Sequence, residues 1–341
     1  MKFVTFGEIM MRLNPEGYNR FVQAERFEAS YAGGEANVAV SLANYGNDAS
    51  YVTKLPSNPF GEAARNEVRR FGVATDDIVW GGPRLGVYFV EKGASQRPSK
   101  VVYDRAGSSI ALAKRGDFDW ERILDGASWF HFTGITPALG GDLPAICEDA
   151  LVVCRKRGIT VSCDLNYRGK LWTREQAGAC MARLVPFVDV LIANEADAAD
   201  VFGIVGEGSD VESGKLNKAG YESVASQLVS RFGCKKVAIT LRTSFSASDN
   251  LWAGMLYDGA SKKASFSREY AVRIVDRVGG GDSFGGGLIY ALRHGKDPQS
   301  AIEFAVAASA LKHSIEGDFN RVTLAEVEKL AGGDGSGRVQ R

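Results

Sequence analysis

From residue 127 onward the chain repeats a rhythm of strand, loop and helix. Short apolar runs at 127–132, 159–164, 189–193 and 236–241 alternate with helix-forming stretches at 143–157, 174–184, 195–202 and 219–232. Nothing else in the sequence limits the fold so tightly. Parallel strands need a crossover long enough to hold a helix, so the rhythm predicts βαβ units, a mostly parallel sheet and helices packed on it. The first part of the chain extends the pattern. Residues 2–7 read as a buried strand that stops at Gly7-Glu8, and 35–46 as a helix set between Gly33-Gly34 and Gly46. A strand at 50–54, a helix at 62–71 ended by Gly72, and helices at 283–294 and 298–313 complete it.

Some stretches break the rhythm. Gly86–Glu91 and Lys100–Arg105 are β-rich and joined by a polar loop with Gly93 and Pro98, which is a hairpin pattern. With residues 13–31 they are expected to form a small sheet apart from the main one, a β lid from about 13–31 and 85–107. Residues 251–257 and 263–271 read as a second hairpin. Gly206 to Gly220 is polar and glycine-bearing, as a surface insertion would be. The domain reading is therefore one unit over 1–330. The glycine-rich tail 331–341 has little to bury and is expected to be mobile.

Composition removes several functional classes. Of 341 residues, 45% are hydrophobic, enough for a sizeable core, while 41 basic and 41 acidic residues cancel. That balance leaves no electrostatic footprint for nucleic acid or an anionic membrane, although a few local arginines could still bind a small anion. The five cysteines Cys147, Cys154, Cys163, Cys180 and Cys234 include no CxxC pair, and His131, His294 and His313 lie far from any cysteine pair. This argues against zinc and suits a reducing compartment. The N-terminus reads as a strand rather than a leader, and no run approaches the ~20 apolar residues that span a bilayer. The expected location is the cytoplasm.

The chemistry concentrates in Asp276-Arg277-Val278-Gly279-Gly280-Gly281-Asp282-Ser283-Phe284-Gly285-Gly286-Gly287-Leu288-Ile289. Glycines ahead of a helix expose backbone N–H groups, and N–H groups at a helix N-terminus suit phosphate. A carboxylate beside such a site is repelled unless it has work to do. Phosphoryl transfer to an alcohol supplies that work, because the hydroxyl proton must go to a base. The local pattern reads equally as a glycine turn whose Asp282 caps a helix. Gly285, Gly286 and Gly287 would each cost roughly 1 kcal/mol against Ala inside a helix, so a close backbone or ligand approach should compensate. No Gly-Lys-Ser/Thr follows, so this is not a P-loop.

Asp276 to Ile289 resembles the C-terminal signature of the ribokinase-like (PfkB) carbohydrate kinases, D-x-x-G-A-G-D followed by small residues, with Gly280 where Ala is usual. Ala32-Gly33-Gly34-Glu35-Ala36-Asn37-Val38-Ala39 resembles that family's N-terminal signature. Two motifs in the right order near opposite ends of the chain are far more specific than either alone. The resemblance implies a ribokinase-like three-layer α/β/α fold with a small β-sheet lid. It implies ATP-dependent phosphorylation of a sugar hydroxyl with Asp282 as base, and an anion hole from the N–H groups of Gly279, Gly280, Gly281 and Asp282. Mg²⁺ would accompany ATP, a monovalent cation is allowed, and a homo-oligomer, dimer or larger, is expected.

Within the family the chain is most similar to the 2-keto-3-deoxygluconate kinases. The carriers are Gly33-Gly34, the Tyr88 strand, Tyr103-Asp104-Arg105, Asp164-Leu165-Asn166-Tyr167-Arg168 and Glu316-Gly317-Asp318-Phe319-Asn320. The similarity implies that Gly33, Gly34, Tyr88, Tyr103, Arg105, Asn166, Arg168 and Asp318 bind substrate. Arg105 and Arg168 would meet its carboxylate, and Asp318 would hold hydroxyls near the reacting end. Asn194, Thr240, Arg242, Gly279 and Gly281 would contact the nucleotide, and Glu195 would reach Mg²⁺ through water. Arg242 stands where many members have Gly, and Asp104 where some have a second Tyr. Blander readings stand beside these: surface ion pairs for the arginines, hairpin packing for the tyrosines, a helix start for Asn194-Glu195, core packing for His131 and the cysteines. Rival activities are a fructokinase or ribokinase type, a 2-keto-3-deoxygalactonate kinase, and a sugar-binding regulator without catalysis.

Overall fold

The structure is a computed structural model that describes residues 1–194, 196–206 and 218–337. Among the described residues nine strands form the main sheet. Its order runs Lys263–Phe266, Asp249–Asp258, Lys236–Ser244, Val190–Ala193, Thr160–Asp164, Ala127–Thr133, Lys2–Phe6, Asp48–Val52, with Tyr270–Arg273 also paired to Asp249–Asp258. The neighbours from Lys236–Ser244 to Asp48–Val52 are parallel, and the pairs made by Asp249–Asp258 are antiparallel.

The alternation of strand side chains explains the three layers. Leu191 and Ala193 enter one apolar core with Phe130, Phe132 and Cys163, while Val190 and Ile192 enter the other with Trp129 and Ala238. A sheet covered on both faces reads as a continuous apolar run, as Val190–Ala193 does. Helices Leu143–Arg157 and Arg174–Leu184 close the first core through Ile146, Leu151 and Met181. Helices Gly34–Asn44, Gly280–Arg293 and Pro298–Lys312 close the second through Val40, Leu288 and Phe304. Four of the free cysteines are buried and pack as small apolar side chains. His131 also belongs to the interior: its Nδ1 meets Ser162 Oγ at 2.8 Å, and burial pushes its pKa down to about 3.

A separate four-stranded sheet has the order Phe27–Ala32, Met10–Pro15, Gly86–Glu91, Lys100–Asp104. The two inner strands are parallel, and each edge strand is antiparallel to its neighbour.

Two sequence expectations need correction. The run 263–271 is not one strand. Its ladder passes from Met255↔Phe266 to Trp252↔Tyr270, so one more residue lies on that side than on the other. Ser267 fills the gap by bonding Gly254 through both its amide and its hydroxyl, a bulge that a pattern of apolar residues does not reveal. The helix placed at 283–294 begins three residues earlier, at Gly280. The insertion at 206–220 lies largely outside the described residues, and so do 338–341 of the tail. No helix among the described residues is long and apolar enough to cross a membrane.

Candidate active site

The loop ahead of the Gly280–Arg293 helix can be traced by glycine only. Gly279 is left-handed, with φ +83°, and a Cβ there would stand 2.0 Å from the Asp318 carbonyl oxygen. A Cβ on Gly280 would meet the His313 ring at 2.6 Å, whereas one on Gly281 would meet nothing within 4 Å. Gly281 is thus bare because it faces a cavity. Gly286 and Gly287 bring helices together: a Cβ would lie 2.7 Å from Ser41 Cβ at the first and 3.1 Å from Ala305 Cα at the second. That is the close approach expected from the sequence. The early helix start alters the anion hole. The amide of Gly280 donates to the Arg277 carbonyl at 3.3 Å, so Gly279, Gly281 and Asp282 are the amides left to face an anion.

Two cavities meet at Asp282. The larger, about 620 Å³, is lined by Asn194, Thr240, Arg242, Gly279 and Gly281, with Trp252, Arg277 and His313. The smaller, about 90 Å³, is lined by Gly33, Gly34, Tyr88, Tyr103, Arg105 and Asp318, with Glu8 and Asn37. Asn166, Arg168 and Asp282 line both. Glu8, Asp164 and Asn194 bring the carboxyl ends of parallel strands to these walls, where open α/β sheets bind ligands, and the separate sheet adds Tyr88 and Tyr103. Every described residue singled out from the sequence, except Gly280, borders one cavity or both.

Burial pushes the Asp282 carboxyl up to about 6. Asn37 Nδ2 donates to it at 2.6 Å and opposes the rise, Asp318 adds to it, and Arg168 and Lys312 counter it. Gly34 keeps the approach open, since a Cβ there would sit 3.4 Å from Asp282 Oδ1. Asp164 is raised too, by burial and then by Asp197 and Asp282.

The two arginines of the smaller cavity differ. Arg105 is ion-paired with Glu8, which also accepts from Ser108, and it leans on the Tyr103 ring at 5.4 Å. Arg168 has no carboxylate partner within ion-pair distance among the described residues; its guanidinium donates to the Tyr167 carbonyl at 3.1 Å. Tyr88 and Tyr103 do pack across the hairpin, with ring centroids 6.0 Å apart. Tyr88 also donates to Asp318 Oδ2 at 2.6 Å. Asp318 receives Arg12 on its other oxygen, so protein donors already engage both of its oxygens.

In the larger cavity Arg277 carries a buried Nε without a partner. Burial lowers its pKa, and Arg242 adds to the lowering. Neither arginine has an acid within ion-pair distance among the described residues, and Arg242 is solvent-exposed. Asn194 stands ahead of the helix Asp197–Phe202, and its Oδ1 accepts from the amides of Ala196 at 2.8 Å and Asp197 at 3.1 Å. Glu195 lies outside the described residues. Among those described, no group of three or more His, Cys, Asp or Glu is placed to hold a metal.

Sequence reasoning missed three residues. Arg12, 1% exposed, bridges Asp276 at 2.6 Å and Asp318. Burial alone would pull its pKa down, and the two carboxylates outweigh that. Asn37 stood in a recognised motif without an assigned role. Lys312 is 0% exposed and points at the Asp276 carbonyl. Partners far away in sequence hid all three.

Residues 1–320 match the family model described as pfkB family carbohydrate kinase. The chain is 33% identical to the 2-dehydro-3-deoxygalactonokinase of Haloferax volcanii, over 98% of both chains. It is 26% identical to the 2-dehydro-3-deoxygluconokinase of Thermoproteus tenax, over 93% of this chain and 90% of that one. The crystal structure of 2-dehydro-3-deoxygluconokinase from Thermotoga maritima superposes with a TM-score of 0.94 and 55% identity, covering 98% of each chain.

Proposed function

The chain belongs to the pfkB family of carbohydrate kinases, and we propose that it moves the γ-phosphoryl group of ATP to O6 of 2-keto-3-deoxygluconate. The product is 2-keto-3-deoxy-6-phosphogluconate. The observation that carries this reading is the position of Asp282, on the shared wall of two cavities and at the head of a helix with unengaged amides.

The sugar acid occupies the smaller cavity. Its carboxylate falls to Arg168, which has no acid partner among the described residues, because Arg105 is already neutralised by Glu8. Arg105 then braces Tyr103, while Asp318, fixed by Arg12 and Tyr88, accepts from a substrate hydroxyl with a remaining lone pair. ATP occupies the larger cavity. Arg242 and Arg277, two cations with no acid within ion-pair distance among the described residues, face its phosphates. Asp282 takes the O6 proton as the O6–P bond forms and the bond between the γ-phosphorus and its bridging oxygen breaks. The amides of Gly279, Gly281 and Asp282 meet the charge on the transferring group.

The oxygen donors Asp164 and Asp197, on the wall of the larger cavity, would hold Mg²⁺ mainly through water. When bound, Mg²⁺ neutralises phosphate charge. The small sheet, joined to the site through Arg12 and Tyr88, serves as the lid that excludes water. A cytoplasmic setting agrees with the free, mostly buried thiols.

A homo-oligomer forms through the outer face of the small sheet. There Leu13, Phe89 and Val102 stand in one cross-strand row, Phe27 packs on Phe89 at 5.9 Å, and Val102 is 42% exposed.

A coupled assay with ATP, Mg²⁺ and a panel of sugars and sugar acids tests the substrate. Turnover should be highest with 2-keto-3-deoxygluconate. Preference for 2-keto-3-deoxygalactonate, which the Haloferax relative's name supports, would move the assignment by one stereocentre. Activity confined to neutral sugars would remove the sugar-acid reading.

A further inference from the structure

Lys312 ends the helix Pro298–Lys312 and is fully buried. Its ammonium donates to two backbone carbonyls, Asp276 O at 3.3 Å and Ile315 O at 3.2 Å. No carboxylate lies within ion-pair distance of it among the described residues. A buried charge is costly unless something offsets it. Here the offset is a field rather than a contact: burial lowers the pKa of Lys312, Asp276, Asp318 and Asp282 raise it, and Arg12 lowers it.

The two carbonyls belong to two loops that bracket the site. Asp276 opens the turn that leads through Val278 to Gly279, and its carboxylate accepts from the amides of Val278 at 3.1 Å and Gly317 at 3.2 Å. Ile315 precedes Asp318, whose carbonyl packs where a Gly279 side chain would stand. Both loops therefore set where the Gly279, Gly281 and Asp282 amides point. A lysine in the last turn of a helix also favours the helix dipole. That role is met at the surface and needs no carbonyl from a residue 36 positions away. A compact positive charge held by carbonyls of separate loops is the arrangement by which backbone oxygens replace the water around a monovalent cation.

We propose that the Lys312 ammonium is a built-in cation of the phosphoryl-transfer site. It clamps the 276–279 and 315–318 loops through their carbonyls, fixes the anion-hole amides and adds positive charge to the field at Asp282, so turnover needs no dissolved monovalent cation. Lys312 is a positioning residue. The proposal rests on the assignment of Gly279–Asp282 as the phosphoryl site.

Lys312→Ala and Lys312→Met test it in a buffer whose sole monovalent cation is tetramethylammonium. The wild type should keep its turnover, within about twofold, when potassium or ammonium is added. Lys312→Ala should lower kcat about 100-fold, the scale of a 1 Å misplacement. Ammonium or methylammonium should restore part of that loss saturably, and tetramethylammonium at equal ionic strength should not. Lys312→Met fills the space without the charge and should stay slow with every cation. Wild-type turnover in Lys312→Met overturns the proposal. So does a folded Lys312→Ala that ignores small cations, or a wild type that itself requires one. Should Lys312→Ala not fold, Lys312→Met with a native melting transition decides alone, slow turnover supporting the charge and fast turnover removing it. Asp282→Asn in the same assay separates the two levels: retained turnover there would sink the site assignment itself, whatever Lys312 does.

Discussion

As the proposed base, Asp282 can act only while ionised. Burial holds its pKa up at about 6, so protonation on acidification should remove the base, and kcat/KM should fall tenfold per pH unit below about 6. A profile flat down to pH 5 would contradict the role. Bound phosphates add negative charge, so the limb for kcat should lie higher. Asp282→Asn keeps the shape and loses the base, and turnover should drop roughly 10²- to 10⁴-fold with ATP binding retained. Arg277→Gln should weaken ATP about 10- to 100-fold in calorimetry, the worth of a charged hydrogen bond, and leave adenosine binding unchanged. Equal loss for both ligands would mean a collapsed cavity instead. The place of Asp282 and Arg168 on the cavity walls was legible in the sequence because motifs surround them. Arg12 was not. In Met10-Met11-Arg12-Leu13-Asn14 a period of two puts Arg12 and Asn14 on the polar side, which normally means solvent. Here that side is buried against Asp276 and Asp318.

The helix Gly280–Arg293 carries the proposed chemistry at its start and packs helices together farther along. Its glycines admit Ser41 on one side and Ala305 on the other. Gly286→Ala places a Cβ 2.7 Å from Ser41 Cβ, so overpacking should outweigh the gain in helix propensity and destabilise by about 1–3 kcal/mol in urea unfolding. A more stable variant would show that the seam yields. Most elements could be read from sequence because apolar periodicity agreed with local stop and start signals, as for Leu143–Arg157, which Gly158 ends, and Arg174–Leu184, which Thr173 caps. The break at Ser267 and the early start at Gly280 escaped because both depend on tertiary partners, Gly254 in one case and Asp318 with His313 in the other.

At the scale of the whole molecule, stability and assembly respond to pH and to the outer sheet. His131 is neutral when folded, its pKa near 3 against an ordinary 6.5. A depressed folded value gives stability that is complete above 6.5 and is lost as pH falls toward 3. Melting temperatures from pH 7.5 to 5 should therefore fall more for the wild type than for His131→Asn, and parallel curves would exclude His131 as a cause. Leu13→Asp, on the apolar outer row of the small sheet, should shift sedimentation toward the monomer; an unchanged mass would place the contact elsewhere.

The guanidinium of Arg12 also has a consequence for biosynthesis. Its partner Asp318 is 306 residues downstream, so a ribosome adding roughly 5–20 residues per second delivers the second half of this clasp some 15–60 s after the first. Until then Arg12 has at most Asp276, 264 residues downstream, as its partner, and the pocket for the sugar cannot close. Messages cut short before codon 318 should yield chains that fold their early strands and never turn over, so the reading of that codon is the step on which this catalyst waits.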